Sequence, residues 1–108
     1  MNDLVEKLSR GDYSVELVVR PEITVASVRE CVDRGFVHVR FTGTRGGTEL
    51  GVLLDRRECE LRTNEQGGIG HLRIVGTLTL NYEKVRCIAE FDMATFAGLG
   101  HLEPVAAE

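Results

Sequence analysis

The segment HLRIVGTLTLNYEKVRCIAEF, residues 71–91, constrains the fold more than any other part of the chain. Two runs rich in Leu, Ile, Val and Thr flank the polar NYE, the pattern of a long β-hairpin. In the second arm Val85, Cys87, Ala89 and Phe91 alternate with Arg86, Ile88 and Glu90, so one face is the more apolar. Gly76 interrupts the first arm and predicts a bulge or a bend. A lone hairpin is marginal in water, so other segments must pair with it and cover it.

Several segments qualify. YSVELVVR places Val15, Leu17 and Val19 on one side of a strand that Pro21 ends. FVHVRF sets Val37, Val39 and Phe41 against Phe36, His38 and Arg40. TELGVLLD repeats the pattern with Leu50, Val52 and Leu54, and the shorter ECELR would bury Cys59 and Leu61. Helical spacing is confined to two places. Leu4, Val5 and Leu8 follow Asn2 and Asp3 and stop before Gly11. Val25, Val28 and Val32 lie between a Thr24 N-cap and a Gly35 stop. The β-branched residues of this second helix lower its intrinsic propensity, so it needs a sheet to pack on. Asp92 is expected to cap a short helical turn through Phe96, closed by Gly98.

This order predicts an α+β fold: a mostly antiparallel sheet of about five strands with two short helices packed on one face. A right-handed crossover through the second helix would make the first two strands parallel. The 108 residues suffice for one domain, 1–108, and the 43% of hydrophobic residues suffice for a core without disulfides or metal. With 6% aromatics and no Trp, that core rests on Val, Leu and Ile. TNEQGGIG, residues 63–70, reads as a flexible glycine-rich loop, and EPVAAE at 103–108 as a frayed tail.

Charge and cysteine usage narrow the function. Thirteen basic residues among seventeen acidic ones give a net charge of −4 and no basic stripe, which argues against nucleic acid. No apolar run approaches a membrane span, and the first residues carry no leader-like segment. Three cysteines in such a chain predict free thiols and a cytoplasmic location. They fall at equal intervals, Cys31, Cys59 and Cys87, but the surrounding sequence does not repeat. Close ligand pairs such as C-x-x-C are absent, so neither a metal site nor a cofactor is expected.

GTRGGTEL, beginning at Gly43, has the glycines of a phosphate loop. However, Thr48 and Glu49 follow Gly47 where a P-loop needs Lys and Ser or Thr, and strand alternation follows where it needs a helix. The stretch is read as a hairpin turn. Candidate site residues lie elsewhere. His38 and Arg40 share the non-core face of one strand: His38 is a candidate acid–base group and Arg40 an anchor for an anion. Glu90 is a second catalytic candidate, and Arg73 and Arg86 are candidate ligand-binding residues on the hairpin arms. Each has a plain alternative as a cross-strand ion pair. His71 and His101 are read as loop ends with no tie to a site.

Two functions follow. One is a small binding or accessory protein that offers a sheet face or edge to a second copy or to a larger enzyme. The other is a cofactor-free enzyme of isomerase or cyclase type, acting on an anionic small molecule in a pocket under the 63–70 loop.

Overall fold

A computed structural model describes residues 3–20, 22–43, 47–55, 57–63, 69–80 and 83–105. The elements are α1 (Asp3–Leu8), β1 (Tyr13–Val18), α2 (Val25–Arg34), β2 (Phe36–Phe41), β3 (Thr48–Leu54), β4 (Glu60–Thr63), β5 (Ile69–Leu80), β6 (Glu83–Asp92) and β7 (Ala97–Pro104). Strand neighbours run β3-β2-β1-β7-β6-β5, and β3 pairs with β5 to close the ring. The result is a closed six-stranded up-and-down antiparallel barrel, with β4 as an additional strand on β5. Closure leaves the ring with little open edge.

This architecture corrects the expected α+β sheet of about five strands. β1 and β2 pair antiparallel, Val15↔Phe41 through Val18↔His38, so α2 makes no parallel crossover. The two helices also do not share one sheet face. Leu8 of α1 enters the core before β1 begins, whereas α2 follows β1 and packs Val28 and Val32 onto the core at the other end. Local signals for α2 itself hold: Thr24 and Ser27 form a reciprocal capping box, and Gly35 (φ 80°) ends the helix in the left-handed conformation.

The strand that closes the barrel is β7. It joins β1 to β6 through Val15↔Gly98 and Phe91↔Gly98. Two of its inward positions are Gly98 and Gly100, facing Phe91 and Ala89 on β6, so it lacks the hydrophobic alternation that marks a strand. The expected helical turn before it is a tight turn. Asp92 accepts hydrogen bonds from the Ala94 N–H through its carboxylate (2.8 Å) and from the Phe96 N–H through its carbonyl (2.8 Å). Glu103 and Pro104 of the expected tail belong to β7, and the Val105 N–H donates to the Lys84 carbonyl; residues 106–108 lie outside the described residues.

The interior is filled by the alternate positions of all six strands. Phe41, Phe91, Leu72, Ile74, Val52 and Leu102 are among the fully buried side chains. Strands β2 and β3 pair from Phe41↔Thr48 to Phe36↔Leu53, so the glycine stretch joins the arms of a hairpin; its residues 44–46 lie outside the described residues.

β3 and β4 lie along the same edge of β5, because β6 occupies the other edge. Between them the chain leaves the ladder, and Asp55 and Cys59 bridge the gap. The Asp55 N–H donates to the Val75 carbonyl (2.8 Å), and the Cys59 Sγ accepts from the Val75 N–H (3.5 Å). Gly76 sits where β3 presses closest on β5. A Cβ there would lie 2.5 Å from both the Leu53 carbonyl oxygen and Val52 Cγ1, so a side chain at this position would push β3 and β5 apart.

Candidate functional site

A groove of about 630 Å³ runs between α2 and the adjoining ends of β1 and β2. Its walls include Arg20, Ser27, Cys31, Arg34, Phe36 and His38. The sequence candidate His38 therefore lines a concave site. Its ring meets Phe36 edge-on at 5.1 Å, and Gly51 lies opposite on β3. A Cβ at Gly51 would stand 2.7 Å from Phe36 Cζ, so this glycine makes room for the aromatic ring.

Arg40 projects from the same strand face but is held by carboxylates. It bonds Glu16 on β1 (2.9 Å) and Glu49 on β3 (3.4 Å), its register partners on either side. Arg20 forks onto the same Glu49 at 2.7 and 3.1 Å. That bidentate contact holds the Glu49 carboxyl below its usual range and raises Arg20, with Arg40 and His38 acting in the same direction on Glu49. Because Glu49 is lowered on folding, its contribution to stability is present above the ordinary value of 4.5 and is lost as pH falls through the lower folded value. Arg20→Ala should therefore lower the melting temperature at pH 7, and the difference should shrink at pH 3; an equal difference at both would show that the pair is not the cause.

The remaining candidates form a separate group. Arg73, Arg86 and Glu90 lie on β5 and β6, and β6 is three strands from β2 in either direction around the ring. Arg73 donates to the Glu58 carbonyl (3.2 Å), Arg86 pairs with the Glu58 carboxylate (3.6 Å), and Glu90 pairs with His71 (3.3 Å). His38 and Arg40 thus share one strand face, although Arg40 is not among the residues lining the His38 groove, and Glu90, Arg73 and Arg86 lie on other strands. His71 lies within β5, and His101 within β7 between Asp12 and Glu103, both at 3.1 Å. Most of the 63–70 loop lies outside the described residues.

Sequence reasoning missed a second groove of about 550 Å³ on the other side of Phe36. Phe36 and Leu53 are register partners on the outer face and are 43% and 62% exposed. Lone exposed apolar residues are ordinary, but a cross-strand pair between two grooves is a patch. Two signals marked it in the sequence. Phe36 shares the non-core face with His38 and Arg40, and Leu53 breaks alternation beside Leu54.

The cysteines differ in character. Cys31 is half-buried in the first groove, Cys59 is tied to Val75, and Cys87 is fully buried. Burial raises the Cys59 thiol and pushes the Cys87 thiol up to about 12. A maleimide added to the folded protein at pH 7.5 should modify Cys31 first and leave Cys87 untouched until unfolding; comparable labelling of Cys87, read by peptide mass, would contradict its placement. Among the described residues no group of three His, Cys, Asp or Glu side chains is arranged to hold a metal ion, and no helix is long and apolar enough to cross a membrane.

Comparison with known protein families and with curated proteins finds no match to either.

Proposed function

We propose that this chain is a small cytoplasmic binding or accessory protein that engages a protein partner through the outer barrel face around Phe36 and Leu53. The observation that carries this reading is the exposed, register-paired Phe36 and Leu53 set between two grooves. The packed interior supports it too, because buried side chains fill the space where larger barrels hold a ligand.

The experiment is native mass spectrometry on protein purified gently from its producing cells, for the unaltered chain and for Leu53→Arg. Leu53 is exposed, so the variant should fold normally and lose the associated mass. A complex unchanged by Leu53→Arg would reject this face as the interface.

A second reading, the cofactor-free enzyme on an anionic small molecule, rests on His38, Cys31 and Arg34 sharing the larger groove. It requires a small-molecule mass on each subunit that disappears in His38→Ala. The engagement of Arg40 by Glu16 and Glu49 weighs against its role as the anion anchor.

A further inference from the structure

The second groove lies at the β3–β5 joint in the barrel wall. A depression over outward-facing residues alone would be lined by positions such as Gly51, Leu53 and Thr79. This one is lined also by Leu50 and Leu78, which alternate with them. Its cause is the short β3–β5 pairing. Among the described residues the ladder comprises Leu53↔Thr77 and Leu54↔Gly76, and it does not continue to Gly51 and Thr79.

Main-chain direction follows from the bonds on either side. The Leu54 N–H donates to Gly35 beside β2, and the Asp55 N–H donates to Val75 on β5. Main-chain groups alternate sides along a strand, so those of Leu54, Val52 and Leu50 face β2 and those of Leu53 and Gly51 face β5. By the same alternation, Val75, Thr77 and Thr79 turn theirs toward β3. Gly51 and Thr79 therefore present N–H and C=O groups to an open seam.

Resting on the binding reading above, we infer that this seam receives an extended segment of a partner protein by strand addition, with alternating apolar and acidic side chains. Strand edges supply main-chain bonding, and successive side chains of an added strand point to opposite faces. Inward side chains would meet Leu50 and Leu78, which are apolar. Outward ones would meet Lys84, which has no ion-pair partner among the described residues, whereas Glu49 at the groove is already held by Arg20 and Arg40. The uncompensated charge of the groove is positive, and its complement on the partner is a carboxylate.

The test uses two blocked hexapeptides, one alternating valine with glutamate and one alternating valine with lysine, titrated into the full chain while backbone amides are followed by NMR. The glutamate peptide should shift the Gly51 and Thr79 amides and bind about fivefold more tightly than the lysine peptide at low salt, the range of one exposed ion pair. Lys84→Glu should reverse that order. Absence of binding at millimolar peptide, or equal binding of both peptides unaffected by Lys84→Glu, would overturn the inference. Concentration-dependent dimerisation that perturbs the same two amides without peptide would also overturn it, since a second copy would then be the occupant. A failed peptide test with association still lost in Leu53→Arg would reject the seam alone and leave the binding face standing.

Discussion

Gly98→Ala is expected to destabilise the protein by about 3 kcal/mol, the upper part of the range for forced overpacking. A Cβ at this position would lie 1.8 Å from the Glu90 carbonyl oxygen and 3.0 Å from Phe91 Cα. Both are main-chain atoms of β6, so no side-chain rotation relieves the contact. Either β7 moves away from β6 or its register breaks, and β7 is the strand that joins β6 to β1. For a domain of this size the loss corresponds to a fall of roughly 12–24 °C in melting temperature. Gly43→Ala is the control, because a Cβ there meets nothing within 4 Å. Equal melting temperatures for the two variants would mean that β7 does not lie against β6 as described.

Phe91→Ala is expected to cost about 3–5 kcal/mol in denaturant unfolding, the usual loss for removing a buried aromatic ring. Phe91 has 0% exposure, and its register partners are Leu72 on β5 and Gly98 on β7. The row continues from Gly98 to Val15 and from Val15 to Phe41. A large ring beside a residue with no side chain is how this row fills its width, so truncation leaves a void that no neighbour can fill without moving its strand. Phe91→Leu should recover part of the loss. A cost below about 1 kcal/mol for Phe91→Ala would show that the interior is loosely packed, and would remove the argument against a ligand inside the barrel.

The same row explains how far the sequence could be read. Alternation locates β1, β2, β3, β5 and β6, because each presents mostly apolar side chains inward at alternate positions, with Gly76 the gap in β5. It fails at β7, whose inward positions Gly98 and Gly100 carry no side chain; their bulk is supplied by Phe91 and Ala89 on the neighbouring strand. Without β7 the remaining strands read as an open sheet, in which α2 becomes a crossover that an antiparallel β1–β2 pair does not need.

The candidate site was legible to a similar depth. Periodicity places His38 on an outer face, and it does line the groove beside α2. Arg40 could be placed on that face, but its capture by Glu16 and Glu49 depends on register across three strands, which periodicity within one strand does not contain. The separation of Glu90, Arg73 and Arg86 from His38 depends on ring order, which is likewise non-local. The seam was invisible for the same reason: it arises where β5 departs from β3 beyond Thr77, and neither strand's own sequence records the departure.

The open seam is the feature on which the strand-addition account turns, and amide hydrogen exchange at Gly51 and Thr79 measures it directly. The account predicts that these two amides exchange rapidly in the free protein although both lie within strands, while Leu50, Val52 and Leu78, whose groups face β2 and β6, are protected. Protection of Gly51 and Thr79 equal to that of their neighbours would mean that β3 and β5 close the wall in solution, and no segment could then be added there.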